Sequence, residues 1–198
     1  MNKLYGLALA ALLGTPAAFA GDMPSGAIEG YLVSAALDRG GGNDANGTGF
    51  GVKGWAAIAK PWFVHGEYQT VSLDFPGPGG KADLESLRIG GGMVGEINPT
   101  MMWLGKAEYI DFGSDADQAG FGLHGGVIFN MNATFSMLGT LGYITTDDTD
   151  GLELNVGGKM NFTREFAGVA DLRNYMGSVD PNGDFDVFEV RVGVAYMF

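Results

Sequence analysis

The chain has 198 residues, with 23 Asp and Glu against 11 Lys and Arg, 35 Gly, 12% aromatic residues and no Cys. The lack of Cys excludes a disulfide scaffold and thiolate metal or nucleophile chemistry. The acidic balance argues against nucleic acid as a partner, because neutralising phosphates takes clustered Lys and Arg, and Gly without a repeat or a Pro excess excludes collagen and low-complexity disorder.

At the amino-terminus Met1-Asn2-Lys3 carries a positive charge, Leu4 to Leu13 is an apolar run, and Ala18-Phe19-Ala20 is an A-x-A site. These are the three parts of a secretory signal peptide. Residues 1–20 are therefore expected to be cleaved, with Ala18 and Ala20 setting the site, leaving 21–198 as one domain. Losing Lys3 makes the net charge one unit more negative than the −12 of the whole chain. The apolar run is shorter than the roughly 20 residues of an anchor. No later stretch suits a spanning helix, so residence in a membrane would require a closed barrel, which satisfies every backbone hydrogen bond within the sheet.

Alternating segments follow at 26–37, 48–60, 62–73, 84–95, 101–111, 119–130, 134–145, 152–161, 166–177 and 185–198. Each is near the roughly 9–11 residues of a tilted transmembrane strand. They predict an all-β, antiparallel up-and-down transmembrane β-barrel of about ten strands, with about eight as the alternative count. The connections Lys60-Pro61, Ile97 to Thr100, Asn130 to Asn132 and Phe162 to Arg164 are short. Those at Asp38 to Gly47, Asp74 to Asp83, Asp111 to Gln118, Thr146 to Gly151 and Ser178 to Asp184 are longer and rich in Asp, Gly and Asn. Short periplasmic turns and longer outer loops give this asymmetry.

One parity collects apolar side chains such as Phe50, Ile58, Leu87, Ile89, Phe121, Leu123, Leu141 and Leu154, and is expected to face lipid. The other collects six cations (Lys53, Arg88, Lys106, Lys159, Arg173, Arg191), six anions (Glu29, Glu67, Glu108, Glu153, Asp171, Glu189) and both histidines, His65 and His124. A Lys or Arg on the lipid side at the midplane costs about 2–4 kcal/mol, so these groups are expected to line the interior. Their balance points to cross-barrel ion pairs that close the lumen, whereas a selective pore shows an excess of one sign. Trp62, Phe63, Trp103, Tyr109, Tyr143, Phe166 and Tyr175 fall near segment ends, where aromatic girdles form.

Other motifs point to little chemistry. Gly120 to Gly125 matches G-x-G-x-x-G but lies in a strand with no helix after it, so no phosphate cradle and no cofactor are expected. Two isolated histidines of interior parity read as hydrogen-bonded wall residues, with no metal or catalytic site. The clusters Asn43 to Gly47, Asp115 to Asp117, Asp147 to Gly151 and Asp180 to Asp184 suit solvated turns. They could also hold divalent cations, Ca²⁺ or Mg²⁺ bridging to lipopolysaccharide phosphates.

The chain ends Arg191-Val192-Gly193-Val194-Ala195-Tyr196-Met197-Phe198, with aromatic residues at Tyr196 and at the terminus. Arg191, Gly193, Tyr196 and Phe198 resemble the assembly signal of bacterial outer-membrane barrels. The whole chain is similar to the small Gram-negative outer-membrane β-barrel proteins. That resemblance implies a multi-pass barrel in the bacterial outer membrane, in contact with its lipid and lipopolysaccharide. It also implies recognition of the last strand by the barrel-assembly machinery. The first expectation for function is a non-enzymatic envelope-structural or surface-interaction barrel with acidic loops. A narrow porin-like diffusion channel comes second, and a lipid-modifying enzyme third.

Overall fold

A computed structural model describes residues 25–39, 44–75, 80–114, 118–179 and 183–198. The expected signal peptide, with Ala18 and Ala20, lies outside the described residues, as do Asn43, Asp115 to Asp117 and Asp180 to Asn182 of the acidic clusters. Ten strands follow in order: β1 (Gly26–Asp38), β2 (Ala45–Ala59), β3 (Trp62–Asp74), β4 (Lys81–Asn98), β5 (Met101–Ser114), β6 (Gln118–Asn130), β7 (Phe135–Thr146), β8 (Thr149–Asn161), β9 (Phe166–Val179) and β10 (Gly183–Met197). Every pairing is antiparallel and between sequence neighbours, and β1 closes on β10 from Ala27↔Met197 to Asp38↔Asp186. The sheet is a closed all-β barrel of ten strands with no free edge.

The start of β1 and the end of β10 meet at one end of the barrel, the terminal end, together with four short turns. Their chemistry is local. Asn132 Oδ1 accepts the backbone N–H groups of Thr134 and Phe135, both at 2.8 Å, and Thr163 Oγ1 accepts those of Glu165 and Phe166 at 3.1 and 3.0 Å. Lys60-Pro61, with a cis peptide bond, and Pro99-Thr100 make the other two.

At the opposite, loop end, strands continue beyond the alternating segments. β4 takes in Lys81 to Asp83 there, and β8 begins at Thr149, leaving only Asp147-Asp148 between β7 and β8; at the terminal end β4 also takes in Ile97-Asn98 of an expected turn. Ladder hydrogen bonds need no apolar face, so pairing outlasts the alternation that reveals it.

The strand parity separates two surfaces. Outward, Leu32, Phe50, Ile89, Leu123, Leu141 and Val192 are among a broad band of exposed large apolar side chains. Inward, three layers stack. Tyr31, Val33, Ala35, Leu37, Ala45, Val71 and Leu73 form an apolar cluster toward the loop end, joined there by a second around Ile110, Ile144 and Tyr175. Ala27, Ala167, Ala195 and Met197 form a small one at the terminal end, and the charged side chains lie between.

Two of the seven expected girdle aromatics belong inside. Phe63 shares the parity of His65 and Glu67 and packs where a Cβ on Gly92 would stand, and Tyr175 is buried with its ring 5.6 Å from that of Phe185. Period two places them there whatever their distance from the strand end.

Candidate functional site

The middle layer draws on nine of the ten strands. On β3, Glu67 accepts from Arg173 of β9 at 2.8 Å and from Arg191 of β10 at 3.1 Å. Arg191 also pairs with Asp171, which in turn holds Lys53 of β2 at 2.9 Å, and Lys53 holds Glu29 of β1 at 3.0 Å. Arg173 lies 3.8 Å from both Glu153 of β8 and Glu189 of β10. Arg88 of β4 bridges Glu153 at 2.7 Å and Glu108 of β5 at 3.1 Å, and Lys106 donates to Glu108 at 2.7 Å. The histidines complete one side: His124 Nε2 of β6 is 2.9 Å and His65 Nε2 3.4 Å from Glu108 carboxylate oxygens.

Of the fourteen residues singled out in the sequence, thirteen are thus linked in one continuous belt across the lumen. The exception is Lys159, nearer the terminal end, which donates to Met197 Sδ at 3.7 Å. Burial is deep where cations and anions interlock: Arg191 is 1% exposed. A charge so placed persists only when paired and hydrogen-bonded.

Two uncharged members were not singled out from sequence. The Tyr31 hydroxyl donates to Glu67 at 3.0 Å and to Gln69 at 3.1 Å, and Gln69 donates to Glu189 at 2.7 Å. The Tyr31 ring also lies beneath two cations, 5.4 Å from Lys53 Nζ and 5.5 Å from Arg191 Cζ. Its place on the wall requires Gly51 opposite, since a Cβ there would collide with the Tyr31 ring. Their interior parity, shared with Glu29 and Glu67, was the available signal.

Glu108, His124 and Glu153 bring donor atoms within 4.8 Å of one another, a set that could ligate a metal. The surroundings do not fit one. Arg88 Nη1 donates to both carboxylates at 3.1 Å and Lys106 occupies the second oxygen of Glu108, so a divalent cation would be placed against a guanidinium and an ammonium. The four residues of the assembly signal also have definite places. Arg191 is in the belt, Gly193 faces inward beside Tyr31, and Tyr196 and Phe198 face outward, with Tyr196 packed on Phe166 at 5.3 Å.

Among solved structures, the chain is similar to an outer-membrane channel from Pseudomonas putida F1, with 9% identity, a TM-score of 0.58, and 89% of this chain and 97% of that one covered. It also resembles the attachment invasion locus protein of Yersinia pestis (17% identity, TM-score 0.46, 89% and 100% covered) and the KdgM porin solved with oligogalacturonate (11%, 0.47, 87% and 99%). The likeness to the first is one of fold. No protein-family model matches the chain, and no curated protein matches it.

Proposed function

We propose that this protein is a non-enzymatic integral barrel of the bacterial outer membrane, with a lumen that does not conduct, serving an envelope-structural or surface-interaction role. The observation that carries the reading is the belt: oppositely charged side chains from eight strands meet across the bore, beneath an apolar layer at the loop end. A bore of about eight strands is just filled by side chains, and two more strands add modest width. Placement in a membrane is supported by the outward apolar band, far more than a soluble monomer exposes. The non-enzymatic reading is supported by the histidines, which face belt carboxylates inside the barrel rather than a nucleophile or the rim.

Planar-bilayer recording on the refolded protein tests this. The expected result is little or no conductance. Stable, well-resolved openings from the unmodified protein would overturn it in favour of a narrow diffusion channel.

A further inference from the structure

The lumen is not sealed alike at its two ends. Toward the loop end, Val33, Leu37, Val71, Leu73, Ile110 and Ile144 are each at most 4% exposed. Toward the terminal end, the wall from β2 to β8 keeps contact with solvent: Trp55, Phe63, Ile128 and Leu138 are only half-buried. There the side chains of Lys53 and Lys106 remain 27% and 20% exposed, while the carboxylates they hold, Glu29, Asp171 and Glu108, are 12%, 8% and 0% exposed. Within the belt the accessible charge is therefore ammonium, although both lysines are paired; further out, on the same face of β4 as Arg88, Glu96 stands exposed at the terminal end. Lys159 adds a third, and among the described residues it has no carboxylate within 4.0 Å. Asn155 and Asn161 each leave a buried side-chain oxygen without a protein partner, the kind of group that internal water satisfies.

We propose that this half of the lumen is a blind, hydrated vestibule that binds a small carboxylate with an apolar body, admitted from the terminal end. Ligand sites combine mostly apolar walls with a few convergent polar groups. Here Trp55 and Phe63 supply the apolar wall, and the ammonium groups of Lys53, Lys106 and Lys159 supply charge-assisted donors to the carboxylate. The inference goes beyond the closed-lumen reading and rests on it only for the blind end.

Trp55 serves as the reporter, because Trp62 and Trp103 point outward and can be replaced by Phe. With that single-Trp barrel in lipid nanodiscs, acrylamide is expected to quench Trp55, and iodide to quench it several-fold more than caesium. Hexanoate should protect Trp55 from iodide, and hexylammonium should not. Lys159→Gln, a change outside the belt, should lower iodide quenching toward the caesium level and leave acrylamide quenching unchanged, with heat-dependent gel mobility confirming the fold. A Trp55 that acrylamide does not reach would overturn the vestibule. Equal quenching by iodide and caesium, or equal protection by the two hexyl compounds, would overturn the selection for anions. A barrel that conducts yet retains the iodide preference would fail the closed-lumen reading and leave the site standing.

Discussion

Arg173 touches carboxylates from three strands, with Glu67 at 2.8 Å and Glu153 and Glu189 at 3.8 Å. Removing it leaves those buried anions short of a cation, a change that costs about 3–5 kcal/mol when one partner of a buried pair is lost. Arg173→Ala is expected to lower the midpoint of denaturant unfolding in detergent accordingly, and to raise bilayer conductance by admitting water. An unchanged midpoint would mean that the belt contributes little to stability. Gly51 offers a test by shape alone. Gly51→Ala drives a methyl into the Tyr31 ring and should cost about 1–3 kcal/mol as overpacking, whereas Gly30→Ala, with open space around it, should stay within about 0.5 kcal/mol. Equal effects from the two would exclude the close fit at Tyr31. The charged partners were legible in the sequence because a charge has only one tolerable side of such a wall. Tyr31 and Gln69 were not, because an amphipathic or amide side chain is acceptable on either.

At the level of elements, the last strand is tied to the first by reciprocal backbone hydrogen bonds between Gly26 and Phe198, each 3.1 Å, and by the Ser25 hydroxyl donating to the Phe198 carbonyl at 2.7 Å. Deleting Phe198 removes these bonds and the outward aromatic together. The deletion is expected to deplete the protein from the outer-membrane fraction and raise its periplasmic degradation, measured by fractionation and blotting. Normal outer-membrane levels would count against a role in assembly. Strand existence and parity could be read directly, since a period of two admits no drift along a strand. Strand ends could not: β4 runs on through Ile97 and Asn98 because Asn98 still pairs with Met101 across a bulge at Ile97. Phe63 and Tyr175 went astray for a related reason, because nearness to a strand end does not decide which face a ring occupies.

The molecule as a whole should show the behaviour of a closed barrel. Unheated samples are expected to migrate differently from boiled ones on a detergent gel, since the closed sheet resists detergent until heated. Identical migration together with helical circular dichroism would be incompatible with it. The apolar layer at the loop end was the least legible part of the interior. There Val33, Leu37, Val71, Leu73, Ile110 and Ile144 face inward while neighbours such as Leu32 and Tyr109 face outward, so both parities are hydrophobic and composition cannot separate core from surface. The belt, finally, bears on the order of assembly. Glu67 of β3 meets Arg173 and Arg191 from positions 106 and 124 residues further along the chain. Until β9 and β10 arrive, Glu67 lacks both of its paired cations and keeps only the Tyr31 hydroxyl of β1 and water. Dehydration of the bore must therefore wait for the final hairpin, which makes seam closure and the expulsion of water a single late event, and long-range pairings of this kind form slowly.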